Sequence, residues 1–151
     1  MGDNAMDRQF RSILSFGTGS LPDTAVIISV QLNLKLMNPV GTDPFTTHGN
    51  LLVDLRKGPF SGSSALQLND FQATASKSAG LTVGSTPVAG WYGGVLSNLN
   101  FGFINLTGAT QMRLRFQKDD NDDMSADYLA FYSGNAATTD RPQLVITYYI
   151  P

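Results

Sequence analysis

Residues 11–36, RSILSFGTGSLPDTAVIISVQLNLKL, decide the fold. In their second half Val26, Ile28, Val30, Leu32, Leu34 and Leu36 alternate with Ile27, Ser29, Gln31, Asn33 and Lys35, which are mostly polar. Successive side chains of an extended chain point to opposite faces, so alternation of this length describes a half-buried antiparallel strand. The preceding Gly17-Thr18-Gly19-Ser20-Leu21-Pro22-Asp23 is dense in residues that bend chains. The stretch therefore reads as strand, turn, strand, with one dry face and one wet face. By this spacing Val30, Leu32 and Leu34 face a core, joined by Leu114, Phe116 and Ile146 from later runs.

Working outward, the sequence predicts strands at 11–16, 25–36, 50–56, 81–83, 91–97, 110–117, 128–132 and 143–149. Short strands separated by turn-rich stretches describe an all-β chain, an antiparallel β-sandwich of jelly-roll type spanning 1–151 as one domain. The Ser-, Gly-, Thr- and Ala-rich stretch 61–87 is the candidate mobile loop. Arg113 and Arg115 alternate with Met112, Leu114 and Phe116, which reads as the wet face of a strand.

Composition agrees. Only 15% of residues are charged, and all 12 acids are Asp. Asp favours turns over helix interiors, whereas Glu, absent here, is a helix former. A net charge of −2 argues against nucleic acid as a partner. No run approaches the ~18 apolar residues of a membrane-spanning helix. The first residues, MGDNAMDRQF, lack the pattern of a signal peptide. Without cysteine there is neither a disulfide nor a thiolate metal site.

Two clusters are candidate sites. Asp119, Asp120, Asn121, Asp122, Asp123 and Asp127 offer hard oxygen ligands of the kind calcium takes. Asp119, Asn121, Asp123 and Asp127 match alternate positions of an EF-hand loop. Met124 and Ala130 stand where that loop needs Gly and Glu, so the reading is a β-loop calcium site, with Asp3 or Asp7 contributing across space, or else a solvated acidic hairpin. The aromatic residues Trp91, Tyr92, Tyr128 and Tyr132 are candidates for stacking on sugar rings, with core packing as the alternative. His48, the sole histidine, reads as an ordinary loop residue. No catalytic residues are assigned. There is no Gly-x-Ser-x-Gly elbow, and Phe16-Gly17-Thr18-Gly19-Ser20 lacks the Asp of an aspartic-protease motif. No Asp spacing selects a glycosidase pair.

Three stretches carry a resemblance. The strand ending Leu14-Ser15-Phe16, the small turn, Ser20-Leu21-Pro22 and the strand opening Ala25-Val26-Ile27 resemble the DNRLRE domain family. So do the closing Arg141-Pro142-Gln143-Leu144-Val145-Ile146-Thr147-Tyr148-Tyr149 and the lead-in Gly2-Asp3-Asn4-Ala5 to Asp7-Arg8-Gln9-Phe10. That family usually has Asp after the Phe, where Gly17 stands here. The resemblance implies an extracellular β-sandwich, carbohydrate-binding in some members. It also implies one or two further strands before Gly2. The chain is therefore expected to be N-terminally truncated or a piece of a larger secreted protein, and to self-associate through an exposed strand edge.

The expected function is a non-catalytic extracellular or cell-surface module that binds polysaccharide or glycan and is stabilised by calcium. The alternative is a structural or adhesive module, a spacer or filament subunit with no small ligand. Neither nucleic acid nor membrane is expected as a partner.

Overall fold

The computed structural model describes residues Met1–Pro151. Ten strands follow in order: β1 Gly2–Asn4, β2 Arg8–Phe10, β3 Ser12–Phe16, β4 Val26–Val40, β5 Leu51–Lys57, β6 Lys77–Val83, β7 Trp91–Val95, β8 Thr110–Phe116, β9 Tyr128–Phe131 and β10 Gln143–Tyr149. They form two antiparallel sheets packed together as a β-sandwich. The first sheet runs β10-β4-β9-β1-β2, with β7 on the opposite edge of β4; the second runs β3-β8-β5-β6. The long β4 organises the first sheet. One edge holds β10 along Val26–Asn33 and β9 along Leu36–Val40.

The core forms where the inward residues of the two sheets meet. Val30, Leu32 and Leu34 of β4 face Leu51, Val53 and Leu55 of β5 and Met112, Leu114 and Phe116 of β8, all essentially sealed from water. Each such side chain stabilises the fold by roughly 1.5–3 kcal/mol through burial. Ile146 packs against this cluster from β10.

The alternation in β4 does not run its full length. Ser29 pairs with Thr147 and Ile27 with Tyr148, so Ile28 is an extra residue, a β-bulge. Beyond a bulge the faces exchange. Ile27 packs on the core, while Val26 and Ile28 are 40% and 56% exposed, contrary to the period-two reading of them. A second irregularity at Met37 separates the β10-paired part of β4 from the β9-paired part. Between the two bulges the alternation holds.

Other expectations shift too. The hairpin β1–β2 was not legible, its strands being three residues each. Strand β6 begins at Lys77, four residues before the predicted start, and β7 ends at Val95 rather than Ser97. Within 61–87, the segment read as mobile, residues 61–76 are tied down over the outer face of the second sheet. Arg113 Nη1 donates to the carbonyls of Asp70 (3.0 Å) and Ala73 (2.8 Å), and its guanidinium lies 4.7 Å from the Phe60 ring centre. Arg113 Nη2 and Arg115 Nε grip Asp54 at 2.8 and 3.2 Å. The loop covers this strand face, so Arg113 is only 7% exposed and the wet-face reading fails for it. Burial alone would raise the Asp54 carboxyl, but the Ala79 N–H and then the two arginines outweigh it and hold it below its ordinary value.

Candidate functional site

The hairpin β1–β2 turns on Asn4. Its side-chain carbonyl accepts from the N–H groups of Met6 (3.0 Å) and Arg8 (3.2 Å), and Asp7 N–H donates to its backbone carbonyl at 2.9 Å. Asp7 takes a left-handed φ of 52°, which Asp tolerates better than most residues. This small turn reaches the acidic loop, where Met124 N–H donates to Asp7 Oδ1 at 3.1 Å. Strand β2 and the start of β3 thus run beside 119–123, with the end of the 58–76 loop on the far side.

These three segments enclose a cleft of about 470 Å³ lined by Asp7, Gln9, Phe10, Arg11, Phe71, Gln72, Asp119 and Asp120. Phe10 is 40% exposed, and its ring meets Tyr128 edge-to-face with centroids 5.2 Å apart. Arg11 donates from Nε to Gln9 and from Nη1 to the Phe71 carbonyl (3.0 Å), fixing the floor. Burial, then Arg113 and Arg115, lower the Arg11 value. The Asp120 carboxyl is held above the ordinary carboxylate range, first by desolvation and then by Asp122 and Asp119 nearby. The cleft therefore offers two aromatic rings, two side-chain amides, one guanidinium and three carboxylates.

The acidic cluster divides. Asp119 and Asp120 border the cleft, while Asp127 turns inward, 1% exposed, and accepts from Thr42 N–H at 2.7 Å. Asp123 accepts from Ser125 N–H (2.8 Å) and Asn121 Nδ2 (2.8 Å), and Asp120 accepts from Asp122 N–H (3.2 Å). Asp120 and Asp123 thus serve the loop's own backbone, Asn121 Nδ2 reaches from Asp123 to Asp127 Oδ2 (3.5 Å), and no three carboxylates converge as a metal site would require. Asp119, Asp120, Asn121, Asp122, Asp123 and Asp127, as placed, do not form a ready-made metal cluster.

The aromatic candidates divide as well. Tyr92 is in the core, 6% exposed, stacked on Phe45 at 5.8 Å and edge-on to Phe131 at 5.4 Å, and so is withdrawn from ligand contact. Adjacent residues of a strand face opposite ways, so Trp91 lies on the outer face, half-buried, with Lys35 Nζ 5.7 Å from its ring. Lys35 is in turn bound to Asp140 at 2.8 Å. Tyr128 supports Phe10, whereas Tyr132 lines a different depression, beside β3. Gln9, Phe10, Arg11, Phe71 and Gln72 were not singled out from sequence. Each is ordinary alone, and only their convergence marks them.

His48 is not an ordinary loop residue. It caps the single helical turn α1, Pro44–Thr47, and is fully buried, with Nε2 3.0 Å from Asp3 Oδ2 and Nδ1 2.7 Å from Thr47 Oγ1.

Comparison with family models, curated proteins and solved structures returns no match for this chain.

Proposed function

We propose that the chain is a non-catalytic glycan-binding module of the extracellular space or cell surface, binding polysaccharide in the cleft between β2, the acidic loop and the 58–76 loop. The observation that carries this reading is the pairing of Phe10 and Phe71 with Gln9, Gln72, Arg11, Asp7, Asp119 and Asp120 around one cavity of about 470 Å³. Sugar rings offer apolar C–H faces to aromatic side chains, and hydroxyls that both donate and accept. Carboxylates accept, guanidinium donates, and amides do both. The likeness to DNRLRE domains supports the same reading, since some of those bind carbohydrate. Trp91 and Tyr132 lie away from this cleft and are not part of the proposed site.

Affinity electrophoresis and a glycan array test the proposal. At least one polysaccharide should retard the native chain. Phe10→Ala should weaken that binding by about 1–2 kcal/mol, as loss of a stacking face does, and Asp120→Asn should weaken it too. Failure to bind any polysaccharide, or binding that Phe10→Ala leaves untouched, would refute this site. The alternative then standing is the structural or adhesive module.

A further inference from the structure

A slot runs along the open edge of β3. The strand pairs with β8 alone, in unbroken register from Ser12 to Phe16, and no other hydrogen bond reaches a backbone N–H or C=O of these residues. Two adjoining depressions of about 400 and 250 Å³ follow this edge and share Ile13, Leu14, Gly134 and Pro142. Residues 11–14 line the first in succession, and residues 13–16 the second. Successive residues of a strand face opposite ways. A cavity that touches every one of them therefore lies along the edge, where the backbone is, and not on either face. Its far wall is formed by residues 131–134, after β9, and by Pro142 before β10. Inward it reaches Leu34, Leu114 and Leu129 of the core cluster. Open edges template strand addition unless charge, proline, a bulge or a covering element blunts them. Residues 12–16 carry no charge, no proline and no bulge. The charged side chains that line the slot are Arg11 and Arg141, and neither is in an ion pair. Although the chain holds 12 Asp, no carboxylate lines it.

We infer that this slot binds an extended peptide segment of a partner protein, which adds to the second sheet as a strand beside β3. The segment is apolar at alternate positions and carries acidic residues to meet Arg11 and Arg141. A row of N–H and C=O groups spaced along a strand is matched in register by another extended backbone, which neither a lipid nor a sugar supplies. Every second side chain of that segment points inward, toward Leu34 and Leu114, where only apolar groups are at home. Two arginines without a carboxylate near them in the slot select an acidic partner. The long apolar strands of this chain, β4, β5 and β8, each already lie between two other strands. Another copy could not lend one of them without unfolding, so the segment comes from a different protein. The slot shares only Arg11 and Phe71 with the glycan cleft and does not depend on it.

Fluorescence anisotropy tests this on the native chain, with a labelled synthetic peptide of about seven residues, alternating valine and threonine with an aspartate at each end. The expected result is saturable binding below about 1 mM. A strand paired on one side uses the N–H groups of alternate residues only. Methylating the backbone nitrogens along one edge of the peptide should therefore abolish binding, and methylating those along its other edge should not. Exchanging both aspartates for lysine should weaken binding at least about fivefold. Ile13→Asp, in the slot but outside the core cluster, should weaken it at least about tenfold by burying an unpaired charge. Val95→Asp, on exposed β7, should not. Hydrogen exchange needs no variant: the peptide should slow the amides of β3. Absence of binding at about 1 mM, the same effect from methylating either edge, indifference to the lysine exchange, or equal weakening by Val95→Asp would each overturn the inference. So would β3 amides slowed by rising chain concentration without peptide, which would give the edge to a second copy.

Discussion

His48 Nε2 lies 3.0 Å from Asp3 Oδ2, and both side chains are sealed from solvent. The ring N–H is not aligned on the carboxylate as a hydrogen bond, yet neither atom has another partner. The pair joins the hairpin β1–β2 to the end of α1. Asp3 N–H also donates to the Asp127 carbonyl at 3.1 Å, and Asp127 N–H donates to Asp3 Oδ1 at 3.3 Å. Asp3→Ala should strand the buried imidazole nitrogen and cost about 1–3 kcal/mol. Urea unfolding measures this directly, and a loss below about 0.5 kcal/mol, the range of an ordinary surface change, would show that the contact does not hold the hairpin.

Asp54 anchors the 58–76 loop through Arg113 and also holds Arg115, so Asp54→Ala should leave buried guanidinium charge uncompensated and cost about 3–5 kcal/mol. The loop should then become cleavable by protease at low enzyme ratios. The pH dependence follows from the lowered Asp54 value. The stabilisation is full above the ordinary value of 3.8 and is lost as pH falls through the depressed folded value. An acid-unfolding midpoint unchanged by Asp54→Asn would contradict this assignment.

The bulge at Ile28 separates neighbours that a plain alternation would misassign. Ile27→Ala removes a side chain packed on the core and should cost about 1–2 kcal/mol, whereas Ile28→Ala should stay within about 0.5 kcal/mol. Reversal of that order in thermal or urea melts would mean that β4 runs without the bulge. Leu32→Ala, deep between the sheets, should exceed both at about 2–5 kcal/mol.

Gly41 adopts φ +70°, and a Cβ there would lie 1.7 Å from the Ala126 carbonyl oxygen and 2.6 Å from Asp127 Oδ1. Gly41→Ala should therefore destabilise the chain by more than about 1 kcal/mol, since strain and clash add. The Thr42–Asp127 hydrogen bond should be disturbed with it, visible as faster exchange of the Thr42 amide. An unperturbed melting curve would show that the 40–42 turn has room to spare.

Because Asp120 and Asp123 already accept from backbone N–H groups and no three carboxylates converge, millimolar calcium should leave the melting temperature unchanged, as should EDTA. A ligand held only by the native state would stabilise it by about 2.7 kcal/mol at 100-fold over its dissociation constant. A rise of that size, abolished by Asp122→Ala, would show that calcium rearranges the loop.

Much of the architecture was legible in the chain alone. Period-two alternation in 29–36, turn-rich connections, and Asp used to the exclusion of Glu specify antiparallel strands with one buried face. Five of the six residues expected in the core are fully buried, and Ile146 packs against them. These are properties of neighbouring residues, because the direction of a side chain on a strand follows from its position in the pleat. What the tertiary structure alone decided depends on which segments meet. The bulge at Ile28 exists only in the pairing with β10, 115 or more positions along the chain. Arg113 is buried because a distant loop folds over it, and His48 because Asp3 arrives on a hairpin too short to show a period. The cleft likewise joins residues 7–11, 71–72 and 119–120, none distinctive where it stands. Local alternation states which way a side chain points; only long-range pairing states what lies opposite it.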